Sequence, residues 1–568
     1  MKIMNCLVKS ILVGALFAVV GCATQNKNAL QAPLAPLAGN IEVKLIAFND
    51  FHGNLKTPNL RVPVPDATQS IGFRLDPAGG VEQFAALVRS LKEKNPNHVV
   101  VSAGDMVGAT PLLSAFFQDE PTIEAMNLVG VDIHAVGNHE FDYGVKHLKR
   151  LRTGGCAINK EGKEDCGGRE PYAGAQFAFL AANVIENATG QPLFPAYLIK
   201  DFEGVKVAFI GLTLQGTPLI VRPGGTAGLV FNEEVETVNK LVPEIQAKGV
   251  DAIVVLIHEG GMQGRGGGIN DCKDFSGKGK EIAEKFHPAV DVVVSAHTHR
   301  FYICDVAGKL MTSAGSYGTL VTEIDLKIDR ASGKVLTKVA RNHLVDPKGA
   351  KDPKLTALVE KYARLAEPLE NRVVAKLTRE ISRVANPAGE STLGNLIADA
   401  QLFATAAPDK GGAVIAFNNP KSLRTTLIPA ADGSVTYGDL FKAQPFQNEL
   451  ISMNLTGRQL KAVLEQQFGD SGIYDVSRGF TYSWDNSRPQ GDKIIANSMK
   501  LNGAMISPEL QYRVVANSFM AGGSEGMTGF REGTERQVGV LDLEALVAYL
   551  AASSPYTPPA MSRITRLN

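Results

Sequence analysis

Five segments of this 568-residue chain end in side chains that bind divalent metals, and each follows a run rich in β-branched residues. Residues 43–48 lead into Asn49-Asp50-Phe51-His52, and residues 98–102 lead into Ala103-Gly104-Asp105. Residues 133–136 lead into Gly137-Asn138-His139-Glu140, residues 252–257 into His258-Glu259, and residues 292–295 into Ala296-His297-Thr298-His299. Imidazole nitrogen and carboxylate oxygen suit Zn, Mn, Fe, Co or Ni, and no thiolate biases the set towards a structural zinc. Two such ions about 3.5–4 Å apart need a bridging carboxylate and clamp the attacking and leaving oxygens of a phosphoryl group. Asp105 is the natural bridge, because Gly104 lets the backbone turn closely. Asp50, His52 and one of His297 or His299 could hold one ion, and Asn138, His258 and the other histidine the second. A lone Asp or His at a strand end is usually structural, but these five motifs hold five of the ten histidines. His98, His134, His147, His287 and His343 have no such setting and read as structural or surface residues.

The runs are short and largely apolar, and helical patterns separate them. In residues 81–92, Val81, Phe84, Ala85, Val88 and Leu91 form one helix face, and Asn95-Pro96 stops the pattern. Apolar strands alternating with helices form a sheet covered on both faces, an α/β layer fold. In open α/β sheets, sites form outside the carboxyl ends of the strands, so the five motifs converge. This pattern defines a first domain over residues 41–345, followed by a charged linker helix over 346–371. A second α/β or α+β domain covers 372–568, with a helix over 392–405, a strand over 413–417 and a helix over 457–468 capped by Thr456.

Lys plus Arg and Asp plus Glu are equal at 58 each, so no overall field draws in nucleic acid or an anionic membrane. A monomer without a nucleic-acid partner is expected. Residues 1–22 read as an export signal: Lys2 and Lys9 flank the start, and the apolar run 11–20 is too short to span a bilayer. The signal ends in Val19-Val20-Gly21-Cys22, which resembles a bacterial lipobox with Cys22 as the lipidated residue. The alternative is ordinary cleavage with a free Cys22. Residues 23–40, rich in Ala, Pro, Asn and Gln, read as a flexible tether, so the protein is expected at the periplasm or cell surface on a lipid anchor. Apart from Cys6 in the signal and Cys22, four cysteines remain, and an even set in an exported chain suggests disulfides. Of three possible pairings, Cys156–Cys166 with Cys272–Cys304 is favoured; no CxxC spacing supports a structural metal site.

Asp50-Phe51-His52-Gly53, Gly104-Asp105, Gly137-Asn138-His139-Glu140-Phe141-Asp142, His258-Glu259 and Ala296-His297-Thr298-His299 resemble the calcineurin-like metallophosphoesterase signature. The flanks most resemble the secreted 5′-nucleotidase branch, as do residues 393–400, Leu-Gly-Asn-Leu-Ile-Ala-Asp-Ala, and Gln444-Pro445-Phe446-Gln447-Asn448. The resemblance implies a four-layer αββα metallophosphoesterase domain with two divalent ions, followed by an α/β substrate-binding domain. It implies the ligand set above with Asp105 bridging, and a catalytic pair of His139 and Asp142 beside the metals; the alternative for His139 is a further metal ligand. It places the base between Phe446 and Phe519, Asn448 and Gly472 near that base, and Arg424 on substrate phosphate.

Three departures bear on the substrate. Lys421-Ser422 stands where the branch has Gly-Gly before its arginine region, and Glu525 replaces a ribose-binding Asp. Glu390 and Ser391 stand near an expected arginine, for which Arg383 is the nearby candidate. The implied activity is phosphate release from nucleoside monophosphates, extending to nucleotide sugars or 2′,3′-cyclic nucleotides. The alternatives are a broad phosphodiesterase or sulfur-ester hydrolase on the same metals, and a non-catalytic surface lipoprotein, against which every ligand position is filled.

Overall fold

A computed structural model describes residues 39–568 apart from 67, 70–71, 159–163, 167–169, 222–223 and 470–471. The export signal, Cys22 and nearly all of the tether lie outside the described residues. Among those described, no helix is long and apolar enough to cross a membrane.

Two six-stranded sheets build the first domain. The first runs in the order Val335–Leu344, Leu320–Asp329, Asn40–Phe48, His98–Ser102, Ile133–Ala135, Ala178–Leu180, and its last four strands are parallel. The second runs Tyr197–Phe202, Val205–Thr213, Ala252–His258, Val290–Ser295, Lys309–Ala314, Phe301–Val306, with the middle four parallel. Strand side chains alternate between faces. Val43, Leu45 and Ala47 therefore meet Val207, Phe209, Val254 and Leu256 in a core between the sheets, while Ile46 and Phe48 face the helices outside. Helix Val81–Lys92 covers the outer face of the first sheet, and helices Glu234–Ala247 and Lys278–Lys285 cover that of the second. The layers thus run helix, sheet, sheet, helix.

Helix Pro353–Glu370 starts at Asp352, whose carboxylate accepts the N–H groups of Lys354 and Leu355. It buries Leu355, Leu358, Tyr362 and Ala366 in the first domain's core, so the connection between domains is itself a packed element. The second domain has a five-stranded sheet ordered Asp475–Val476, Ile415–Asn418, Gln511–Asn517, Glu449–Thr456, Thr534–Leu541. Helices Thr392–Thr405 and Asp542–Ala552 lie on one face and Gly457–Gln466 on the other. Thr456 forms a capping box with Gln459 at the start of that last helix. The domains meet where Leu112 and Ala115 of a short first-domain helix join the apolar cluster of Leu393, Leu396 and Leu440. Disulfides join Cys156 to Cys166 and Cys272 to Cys304.

Candidate active site

The strand ends bring Asp50, His52, Asp105, Asn138, His258, His297 and His299 to one place. His258 closes strand Ala252–His258, and its Nε2 lies 3.0 Å from Asp105 Oδ2 and 3.1 Å from Asn138 Oδ1. His52 Nε2 lies 3.6 Å from Asp105 Oδ2 and 3.1 Å from His299 Nε2, and His299 Nε2 lies 3.5 Å from Asp50 Oδ1. Candidate ligand atoms group as Asp50, His52 and His299 on one side and Asp105, His258 and His297 on the other. The two histidines that sequence alone leaves interchangeable are thus separated. Asp105 reaches histidines of both groups, which is the arrangement a bridging carboxylate needs.

Backbone geometry makes this convergence possible. A Cβ on Gly104 would strike the His258 ring, so only glycine lets that strand end approach. Asp50, His52, Asp105, His297 and His299 all have φ between 46° and 67°, a region costly for side chains other than glycine. His52 Nδ1 faces the Gly108 carbonyl at 2.8 Å and His258 Nδ1 the Ala103 carbonyl at 2.9 Å. A carbonyl fixes Nδ1 as the donor and aims Nε2 into the cluster, the orientation a metal-binding imidazole requires. Burial, with the charge on His258 second, depresses His297 to about 3. Burial also depresses His299 to about 4 against the pull of Asp105, so both rings are neutral donors. Burial pushes the Asp50 carboxyl up to about 7, with Asp105 adding to the push and His258 opposing it. Burial opposes charge on His258, but Asp105 and Asp50 outweigh it and raise the group to about 10; a divalent ion on this donor set would take the place of that proton.

Glu140 holds this geometry, a role the sequence reading did not assign. Its buried carboxylate accepts the N–H groups of Gly137 (2.7 Å), Met106 (2.8 Å) and Asp105 (3.1 Å), tying the Asp105 loop to the Asn138 loop. His134, expected to be structural, stands 3.3 Å from the same carboxylate. Glu140→Gln turns one acceptor into a donor facing N–H groups. The metal-free protein should lose about 2–4 kcal/mol, because charged hydrogen bonds contribute about 1.5–3 kcal/mol each and a stranded donor costs more. Urea unfolding measures this, and an unchanged midpoint would remove Glu140 from that role.

His139 lies beside the cluster. Its N–H donates to Asp105 Oδ1 at 2.9 Å, and its Nδ1 is 2.8 Å from Asp142 Oδ2. Burial works against charge on this ring, but Asp142 and Asp105 outweigh it and raise the group to about 9. His139 and Asp142 open onto a cavity of about 290 Å³ between the domains, shared with Asn138 and His297 from the first domain. Arg424, Phe446, Asn448 and Phe519 line it from the second domain. The Arg424 guanidinium lies 5.1 Å from the Phe446 ring centroid.

The other second-domain candidates are less central. Gly472 abuts Pro420, at the start of the turn carrying Lys421 and Ser422, and is not among the cavity's lining residues. Glu525 belongs to the 3₁₀ turn Ser524–Gly526. Arg383 donates to the Leu423 carbonyl at 3.4 Å, and Glu390 is buried against Asn395 and the backbone of Arg563. Neither lines the cavity. Ile220, Val221, Asn419 and Asn517 do, without any sequence signal of their own.

Comparison with known proteins agrees with this layout. The profile of the calcineurin-like phosphoesterases matches residues 43–301, and that of the 5′-nucleotidase C-terminal domain matches residues 372–532. Endonuclease YhcR of Bacillus subtilis (strain 168) is 33% identical over 520 residues, which is 90% of this chain; the chain spans only 40% of that relative's length. The cell wall protein Lmo0130 of Listeria monocytogenes serovar 1/2a is 28% identical over 548 residues, covering 90% of this chain and 67% of its own. The crystal structure of a 5′-nucleotidase precursor from Thermus thermophilus is similar with a TM-score of 0.69 and 27% identity, over 93% of this chain and 100% of that one. The two matching profiles, one over each half, place the chain among the proteins that join a calcineurin-like phosphoesterase domain to a 5′-nucleotidase C-terminal domain.

Proposed function

We propose that this protein is an exported two-metal phosphohydrolase that releases phosphate from nucleoside 5′-monophosphates. The observation that carries the reading is the cavity with His139 and Asp142 at one wall and Phe446 and Phe519 at the other, with Arg424 near enough to His139 and His299 to oppose charge on both. A nucleotide has the same polarity, with phosphate at one end and a flat base at the other. Divalent ions held by Asp50, His52 and His299, and by Asn138, His258 and His297, with Asp105 shared, would supply Lewis acidity and neutralise phosphoryl charge. Arg424 offers a guanidinium fork to phosphate oxygens. His139 presents Nε2 to the ester oxygen and donates a proton there, while Asp142 holds Nδ1 and so fixes the ring. Phe446 and Phe519 line the cavity and would stack on any base, Asn448 lines it as a polar group, and Glu525 stands at the sequence position of the ribose contact.

Lys421-Ser422 and Glu525 favour a second reading on the same centre, in which nucleotide sugars, 2′,3′-cyclic nucleotides or other diesters are better substrates. A sulfur ester is the further alternative. The name of the Bacillus relative, an endonuclease, adds a nucleic-acid strand to the substrates worth testing, although the balanced charge of this chain favours small ones. Residues 1–22 support export and Cys22 a lipid anchor, with the enzyme held at a membrane surface as a monomer.

The test is hydrolysis of AMP, read as released phosphate, and of UDP-glucose, a 2′,3′-cyclic nucleotide, an aryl diester and denatured DNA, read as the monophosphate, phenol or oligonucleotide each would yield, with Mn²⁺ or Zn²⁺ and with chelator. Chelator-sensitive turnover of AMP is expected; activity only on the other esters would replace the substrate assignment. Phe446→Ala and Phe519→Ala should each raise KM for AMP by about 5–150-fold, because stacking of a base on an aromatic ring contributes about 1–3 kcal/mol. Turnover of p-nitrophenyl phosphate, which has no base, should change little. Equal losses on both substrates would mean that these rings support the fold instead.

A further inference from the structure

Among the described residues, fifteen besides glycine have positive φ, and five of them are candidate metal ligands. Such backbone costs roughly 1–2 kcal/mol per residue, and it persists where surrounding structure enforces it, often at functional sites. Tyr317, with φ 60°, carries the largest side chain of the fifteen. For a bulky residue this conformation is a genuine outlier.

Tyr317 is bound to the same cluster. Its N–H donates to the Asp50 carbonyl at 2.7 Å. The side chain of Asn49 ties the preceding residues to that strand end, donating to the Gly315 carbonyl at 2.7 Å and accepting the Ala314 N–H at 2.7 Å. The same Asn49 amide reaches Asp50 Oδ2 at 2.6 Å. The Tyr317 ring stands edge-on to two imidazoles, with its centroid 5.8 Å from that of His52 and 5.3 Å from that of His299. His52 already has a carbonyl on Nδ1. Among the described residues, His299 Nδ1 has no hydrogen bond, and its side chain is 31% exposed. The Tyr317 ring is therefore a contact that limits how His299 turns.

We infer that Tyr317 is a positioning residue for the Asp50, His52 and His299 cation site, held in a strained conformation so that its ring fixes the His299 imidazole. The inference rests on reading this cluster as a two-cation site. It concerns one half of that site: the ring contacts of Tyr317 fall on His52 and His299, not on His258 or His297.

The test is Mn²⁺ binding by calorimetry and equilibrium dialysis on the full chain, first stripped with chelator. Three variants are compared: Tyr317→Phe, Tyr317→Asn and Tyr317→Gly. Phe keeps the ring; Asn and Gly remove it but accept positive φ more easily. Two Mn²⁺ equivalents are expected for the native chain and for Tyr317→Phe. Tyr317→Asn and Tyr317→Gly should weaken one equivalent by about 10–100-fold, the usual effect of removing a residue that orients a ligand, and spare the other. The thermal midpoint of the metal-free chain should stay level or rise in both, because strain is relieved. Native affinity for both equivalents in the Asn and Gly variants would overturn the inference, and so would loss of folding in both, which would make Tyr317 a structural prop. A native chain that binds no Mn²⁺ would instead overturn the cation reading beneath it.

Discussion

Replacing Asp105 with asparagine should lower phosphate release by about 10³-fold and reduce the metal content below that of the native protein. Asparagine keeps the size of the side chain and an oxygen for the His139 N–H, which now donates to Asp105 Oδ1 at 2.9 Å. It removes the charge from the oxygen that lies 3.0 Å from His258 Nε2 and 3.6 Å from His52 Nε2. That oxygen is the point where the two ligand groups meet, so its loss weakens both at once. Metal ions contribute several kcal/mol of charge stabilisation to phosphoryl transfer; losing about 4 kcal/mol of it corresponds to about 10³-fold in rate. Metal analysis beside the kinetics separates the explanations. A low rate with depleted metal fits a shared ligand, whereas a variant with full metal and native turnover would show that Asp105 does not bridge. Circular dichroism should show the fold retained, because the hydrogen bonds of Glu140 to the same loop do not involve the Asp105 side chain.

The chemistry was more legible in the sequence than the walls around it. Each metal motif follows an apolar strand, and strand His98–Ser102 and helices Val81–Lys92 and Thr392–Thr405 were readable from local periodicity alone. Strands Val335–Leu344 and Thr534–Leu541 were not, because each lies at a sheet edge with most residues exposed or half-exposed and so carries no continuous apolar run. The separation of His297 from His299 depends on positive φ at both, which no spacing rule encodes. Glu140 stood in plain view within its motif, but its role follows from the approach of a loop more than thirty residues away. Ile220 and Val221 reach the cavity only because the domains meet there, and Tyr317 is distinguished by its backbone conformation alone. Residue type thus points to the candidate ligands, while tertiary approach decides what holds and surrounds them.

His139→Ala tests the assignment on which the proton step depends. Removing a positioned general acid typically costs about 10²–10⁴-fold, and that is the loss expected in kcat for AMP. Metal content should stay near native, because Asp142 engages Nδ1 at 2.8 Å and the ring opens onto the cavity. The loss should depend on the leaving group. The alkoxide released from a nucleotide is a strong base and needs a proton, whereas p-nitrophenolate is a weak base and leaves without one. The variant should therefore lose less on p-nitrophenyl phosphate than on AMP. Asp142→Asn should show the same pattern in milder form, since the ring remains but its orientation and charge are less well held. The competing role is concrete: His52, Asp105 and His139 also lie close enough together to hold a cation. On that arrangement His139→Ala would lose metal and would slow both substrates equally. Equal losses with metal retained would fit neither role and would leave His139 as a contact for substrate phosphate. The ratio of the two losses, read together with the metal content, therefore decides whether His139 serves the leaving group or the metal.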